Sequence, residues 1–311
     1  MALSSSGGSK PVVLLTSGVH GVEGFVGSAI QIKAFERPPP PGVRFVFVHA
    51  INPFGFAHLR RGDQDNVDLN RNFLDEGQPH AGSDPFYENL DPLLNPPSPP
   101  GRFDTFSARA FWNIMHYGLP PLRQAIAAGQ YDFPKGLFFG GSVPSPVQAI
   151  FRENLPHWLG DACRVVHLDV HTGLGPWATH KLLIDPPLTP DQMKHATDWF
   201  GPEVLQPSLM DGVAYHSPGG FGPWCAANNS HRDYLFLCAE FGTYHNVKML
   251  AGMRKENRAH YWSNGPSDPR YLRTKAYLKE LFCPASPAWR KRVVEDGAEL
   301  VVRAAEGLRK L

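Results

Sequence analysis

Three side chains of the sequence have the types and spacing of a metal site. His20 and Glu23 lie three residues apart in S-G-V-H-G-V-E-G. If the turn that carries them opens a helix, residues at that spacing share a face and reach one ion together. The flanking Gly18, Gly21 and Gly24 permit tight backbone paths around them. Zinc accepts imidazole and carboxylate ligands, and a catalytic zinc uses three protein ligands and leaves a fourth place for water. A third ligand is therefore required. His167 and His171, in V-V-H-L-D-V-H-T-G, share a strand face by alternation. His171 is the better placed, beside Gly173 at the end of the run, where ligand sites of open α/β sheets gather. His167 reads as a core histidine. The H-x-x-E spacing alone is a weak signal.

The elements that must position these residues follow from periodicity. Pro11–Thr16 is a short apolar, β-branched run that ends at Ser17-Gly18, which reads as a buried strand. Glu23–Phe35 suits a helix with one apolar face, and Val43–Ala50 a second strand ending at Asn52-Pro53. Strand, helix, strand is the grammar of a parallel or mixed α/β sheet. Helices are expected over Thr105–Gly129 and Pro146–Leu159, and a long amphipathic one over Ala288–Leu308. Further strands are expected at Val165–Val170, His180–Ile184 and Tyr234–Ala239. From Gln78 to Phe103 the chain is dense in Pro, Gly, Asn and Asp, and its P-L-L-N-P-P-S-P-P-G stretch reads as loop, neither helix nor central strand. A loop that long is functional or disordered, and Phe86 and Tyr87 tilt the reading toward one packed over a site. The expected architecture is one α/β domain over residues 11–311, after a flexible tail over 1–10 and interrupted by a Pro-rich insertion at about 75–104.

Composition narrows the function classes. Apolar residues make up 42% of the 311-residue chain and aromatics 12%, enough for a substantial core. A net charge of +1 with interspersed acids and bases leaves no electrostatic footprint for nucleic acid or an anionic membrane. None of Cys163, Cys225, Cys238 and Cys283 forms a C-x-x-C pair, so a cysteine metal or redox site is not expected, and Cys238 reads as a small buried hydrophobe. The Ser/Gly-rich start lacks the apolar core of a secretory signal, and no apolar stretch spans a bilayer. A cytoplasmic protein is the expectation.

In order along the chain, H-G-V-E-G, N-P-F-G-F, R-R, N-V-D-L-N-R-N-F, D-V-H-T-G and A-E-F-G-T resemble the M14 zinc carboxypeptidase family, closest to its DUF2817-type bacterial branch. The resemblance implies one zinc ion and a mixed, twisted sheet flanked by helices. It implies that His20, Glu23 and His171 are the zinc ligands and that Asp68 orients the first histidine. A metal-bound imidazole needs an acceptor for its second N–H, as that role requires. Asn70 and Arg71 would hold a substrate carboxylate, a task for which the planar guanidinium fork is suited. Arg61, rather than its neighbour Arg60, would polarise the scissile carbonyl. Glu240 would be the general base, and Tyr215 in Y-H-S-P-G-G the mobile tyrosine of the substrate pocket. Tyr234 reads as core.

The function implied is amide-bond hydrolysis, with water activated by zinc and Glu240 as the proton carrier. G-x-S-x-G is absent, so a serine hydrolase is disfavoured. Two substrate classes share this machinery: short peptides cleaved at the C-terminus, and N-acyl amino acids cleaved by the related aspartoacylase-like deacylases. The residues after the Y-x-x-x-G-G frame, Phe221, Gly222, Pro223 and Trp224, carry no charge. With Gly222 at the discriminating position, neutral C-terminal side chains are expected. A slip of the alignment would bring Asp211 or Asp233 there instead.

Overall fold

A computed structural model describes residues 10–101, 103–207 and 218–311. Its strands are β1 (Val12–Ser17), β2 (Arg44–Val48), β3 (Arg164–Gly173), β4 (His180–Ile184), β5 (Leu205–Pro207) and β6 (Asp233–Gly242). They form one six-stranded sheet in the order β2-β1-β3-β6-β4-β5. Strands β2, β1, β3 and β6 run parallel, and β4 joins β6 antiparallel with β5 parallel to it. The sheet is therefore mixed and flanked by helices, the architecture expected from the alternation of runs.

The helices are α1 (Gly24–Phe35), α2 (Pro53–His58), α3 (Pro85–Leu94), α4 (Phe106–Tyr117), α5 (Leu119–Ala127) and α6 (Pro146–Leu159). They continue with α7 (Pro190–Phe200), α8 (Phe221–Ala227), α9 (Asn246–Trp262), α10 (Pro269–Phe282) and α11 (Pro287–Arg309). Strand alternation splits the core in two. Val13, Leu15, Val166, Leu168 and Leu237 face Ile30 of α1, Phe200 of α7 and Val301 of α11. Val12, Leu14, Val165 and Phe236 face Phe151 of α6 and Phe221 and Trp224 of α8. The same alternation carries His167, Asp169 and His171 on one face of β3, and Phe236, Cys238 and Glu240 on the matching face of β6.

Two sequence expectations are corrected here. The Gln78–Phe103 stretch is not all loop, because α3 lies inside it. Pro85 occupies the first turn, where its missing N–H costs nothing, and the Asp84 side chain caps that turn by accepting from the Phe86 N–H. Tyr87, Leu90, Leu93 and Leu94 form a buried stripe at helical spacing, which outweighs the interior Pro92. The single helix over Thr105–Gly129 is broken in two at Gly118, which has φ +79 and precedes Leu119-Pro120-Pro121. No helix of the described residues is long and apolar enough to cross a membrane.

Candidate active site

The carboxyl ends of the parallel strands bring the predicted residues to one edge of the sheet. His20 lies three residues past the end of β1 and caps a single 3-10 turn, Gly21–Glu23, that runs into α1. The turn is fixed from behind: the Gly21 and Val22 N–H groups donate to the carbonyls of Arg61 and Arg60. Gly21 has no substitute there, since a Cβ would stand 2.1 Å from the Gly55 backbone in α2. His171 lies within β3 rather than beyond it, because β6 pairs with β3 as far as Gly173 opposite Gly242. That longer pairing sets Glu240 directly across from His171.

His20, Glu23 and His171 converge, with one donor atom from each lying within 4.8 Å of the others. All three are buried. Nδ1 of His20 stands 2.9 Å from Glu23 Oε1, and Nδ1 of His171 stands 3.2 Å from Glu23 Oε2. Each Nε2 turns the other way onto an aspartate: His20 to Asp68 at 3.1 Å, His171 to Asp169 at 2.6 Å. The two imidazoles are thus held from behind by carboxylates while their Nδ1 atoms face a shared carboxylate. Among the described residues His20 Nδ1 is buried and makes no hydrogen bond. A buried, orphaned imidazole nitrogen beside a second imidazole nitrogen and a carboxylate oxygen is the donor set of a divalent cation, and the residues fit one.

The electrostatics agree. Glu23, Asp68, Asp169 and Glu240 bring four carboxylates to a buried edge that Arg61 and Arg71 also line. Burial works against ionising Asp68, but Arg61 and His20 hold its carboxyl well below the usual range. Burial also works against Glu23, and the two histidines lower its pKa in turn. Burial disfavours a proton on His171, yet its surroundings push its pKa well above the usual value. Cys238 beside it is itself kept protonated by burial, so the carboxylates of Asp169 and Glu23 are the charges responsible. Glu240 moves the other way: burial, reinforced by Glu23, pushes it up to about 7. Its Oε1 accepts from the Leu174 N–H at 2.8 Å.

Arg61, not Arg60, belongs to the site. Its Nε donates to Asp68 Oδ2 at 2.8 Å and its Nη1 lies 3.5 Å from Glu23 Oε1. Arg60 points into the protein and pairs with Glu256, which also binds Lys275. Asn70 and Arg71 sit on the turn Leu69–Arg71, which the Asp68 side chain caps by accepting from the Asn70 N–H. Both line the cavity. Asn70 Oδ1 accepts from the Phe221 N–H and so ties this turn to α8. Arg71 is buried and donates through Nε and Nη2 to the Ala127 carbonyl and through Nη1 to that of Asn70. Tyr215 and Asp211 lie outside the described residues. Asp233 is at the far end of β6 and accepts from Gln192, so it stays out of the pocket. Gly222 does line the cavity, and a Cβ there would stand 2.0 Å from the Phe236 ring.

Sequence reasoning missed three features of the site. Asp169 anchors His171 as Asp68 anchors His20, and its place two residues before a ligand on one strand was signal enough. Cys238 is half-buried, and besides packing against the core under α6 and α8 it lines the cavity. Asp185 lines the cavity too, which no motif marks. Behind the site, His167 is a core histidine, as expected. Burial lowers its pKa to about 4, and it joins Tyr234 to Thr16 and through it to Asp169.

The mixed sheet gathers two histidines and a glutamate at the carboxyl ends of its parallel strands. The chain belongs to the family described as protein of unknown function (DUF2817), whose model matches residues 1–296. No curated protein matches the sequence. Among solved structures it is similar to murein-tripeptide amidase MpaA from Escherichia coli O157, at 19% identity and a TM-score of 0.40 over 81% of this chain and 83% of that one. It is also similar to bovine thrombin-activatable fibrinolysis inhibitor, at 11% identity and 0.42 over 96% and 82%. Murine aminoacylase 3 matches at 16% identity and 0.31 over 89% of this chain and 64% of that one.

Proposed function

We propose that this protein is a zinc-dependent hydrolase of amide bonds that acts as a carboxypeptidase on short peptides with neutral C-terminal residues. The observation that carries the reading is the meeting of His20, Glu23 and His171 beside a glutamate on the neighbouring strand and an arginine at the same edge. A zinc ion held by those three ligands supplies Lewis-acid polarisation and lowers the pKa of water.

The chain's own groups do the rest. Glu240, across from His171 on the neighbouring strand, takes a proton from the attacking water and delivers it to the departing amine. Arg61, held by Asp68 within reach of Glu23, presents a guanidinium to the developing oxyanion. Asn70 and Arg71 receive the substrate's α-carboxylate. The apolar slot of Gly222, Pro223 and Phe236 takes the C-terminal side chain. Asp68 and Asp169 keep the ligand imidazoles in register.

Deacylation of N-acyl amino acids is the second reading, and the apolar character of the cavity beyond the metal ligands favours it. The two separate on a panel of blocked dipeptides and N-acyl amino acids, assayed on metal-loaded protein with Glu240→Gln as the control. Hydrolysis of neither class removes the amide-hydrolase reading, and turnover by Glu240→Gln equal to the parent takes Glu240 out of the mechanism.

A further inference from the structure

The cavity at the metal ligands does not end at the slot expected for a C-terminal side chain. It measures about 300 Å³, in the range of sites that take whole small molecules, and its lining is mainly apolar. It has two ends made by different parts of the core. One is the slot of Gly222, Pro223, Phe236 and Cys238, backed by the cluster under α6 and α8. The other is a chamber whose walls are Leu90 and Leu93 of α3, Ile114 of α4, Leu122 and Ile126 of α5, and Leu250 of α9. His20, Glu23, His171, Arg61 and Glu240 line the same cavity.

One wall of the chamber comes from the segment that reads as a Pro-rich loop in the sequence. Its α3 turns Leu90 and Leu93 inward, and the Tyr87 hydroxyl pins the helix to the Leu137 carbonyl at 2.7 Å. Arg254 of α9 donates to the Leu93 carbonyl at 2.7 Å and also pairs with Asp104, which closes the segment onto α9. The walls are therefore fixed to the rest of the fold rather than draped over it.

The geometry points to a substrate that carries an extended apolar group on the carbonyl side of its scissile amide, seated between α3, α4, α5 and α9. This inference rests on the amide-hydrolase reading. An amide set at Arg61 and Glu240 with its amine half in the Gly222 slot has only the opposite end of the cavity for its acyl half. Asn113 of α4 and Arg123 of α5 also line the cavity and are half-buried, but the side chains the fold encloses at that end are Leu90, Leu93 and Leu122, against which each buried methylene is favourable. A fatty acyl chain and a large apolar residue of a peptide share this chemistry.

The test uses zinc-loaded full-length protein and two substrate series. One is N-acyl phenylalanine with acetyl, hexanoyl and decanoyl groups; the other is blocked dipeptides whose first residue runs Gly, Leu, Phe. Either series should gain about two- to fourfold in kcat/KM per buried methylene until the chamber is filled. A gain in the acyl series alone assigns a fatty chain, and a gain in the dipeptides alone assigns a peptide residue. Binding is read separately by calorimetry with decanoate against acetate, where a tighter decanoate with a negative heat-capacity change is expected. Ile114→Trp should shift the optimum to shorter groups and weaken decanoate by tenfold or more. If that variant does not fold, Ala110→Phe, which also projects into the chamber, replaces it. Hydrolysis that is flat across both series, with decanoate no tighter than acetate, overturns the chamber and leaves the hydrolase standing. Tight decanoate binding that Ile114→Trp abolishes, without hydrolysis of any substrate, leaves the chamber standing and removes the hydrolase. Absence of both refutes both.

Discussion

Asp169 offers a test in which the size of the effect follows from hydrogen-bond direction. Its Oδ2 meets His171 Nε2 at 2.6 Å, and its Oδ1 accepts from the Thr16 hydroxyl at 2.6 Å. Since Thr16 spends its proton on Asp169, the His167 Nε2 that lies 2.8 Å from the same hydroxyl must be the donor there. His167 Nδ1 then accepts from Tyr234, 2.9 Å away. All donors in this buried chain run toward the Asp169 carboxylate. In Asp169→Asn the amide oxygen can still accept from His171, with its NH2 turned to Thr16. Thr16 then donates to His167, the imidazole changes tautomer, Nδ1–H donates to Tyr234, and the phenol turns its own proton to Cys225. Every group stays satisfied, so the fold should lose less than about 1 kcal/mol. The negative charge behind the ligand is gone, and loss of such a partner weakens metal binding by about 10–100-fold, or about 1.4–2.7 kcal/mol. In Asp169→Ala Thr16 can still turn its proton to His167, but the His171 Nε2 is left unpaired, which should cost about 1–3 kcal/mol. Chelator competition gives the metal Kd, and urea unfolding of metal-free protein gives the stability. A Kd for Asp169→Asn within twofold of the parent, or a stability loss equal to that of Asp169→Ala, would refute the reasoning.

Four further outcomes are expected. Glu240→Gln should keep its metal and its substrate affinity and lose about 10²–10⁴ in kcat, the worth of a general base; near-normal turnover takes Glu240 out of the mechanism. Arg71→Met should raise KM for substrates with a free α-carboxylate and spare amidated ones; an equal loss for both denies Arg71 the clamp role. Blocked dipeptides ending in Phe or Leu should surpass those ending in Lys or Glu in kcat/KM, and a clear win for Lys would single out Asp185, which lines the cavity. Glu256→Gln should destabilise the fold by about 3–5 kcal/mol, because Arg60 and Lys275 are left buried without their anion. The same carboxyl sets a pH dependence. Burial opposes its charge, but Arg60 and Lys275 hold its pKa below the usual value. Its contribution is thus fully present above the unfolded carboxyl pKa of about 4.3 and fades as pH falls through the lower folded value. Urea midpoints of Glu256→Gln and the parent should converge in acid, and a constant gap between them contradicts this.

Much of the site was legible because its signals are local. His20 and Glu23 are three residues apart, and His171 and Glu240 end apolar runs, so strand order alone carries them to one edge. The acceptor argument that placed Asp68 behind His20 applied equally to Asp169 behind His171, and its omission was one of reasoning rather than of signal. Arg60 and Arg61 were separable in sequence only by resemblance. In the fold, backbone pairing of residues 60 and 61 with Val22 and Gly21 turns one side chain inward and the other to the ligands. Helix α3 was hidden because prolines dominate its segment, yet one falls in the first turn where it does no harm. The chamber left no sequence signal, since its walls come from helices as distant as α3 and α9.

The central claim is that a metal ion at His20, Glu23 and His171 serves amide hydrolysis through Glu240. The most direct measurement strips the protein with a chelator, then titrates zinc back while hydrolysis of a blocked dipeptide and of an N-acyl amino acid is followed. Activity should vanish on stripping and rise linearly to a plateau at one zinc per chain, while Glu240→Gln binds the same single equivalent and stays inactive. Hydrolysis that survives stripping, or a chain that binds zinc stoichiometrically and hydrolyses neither substrate, would contradict it.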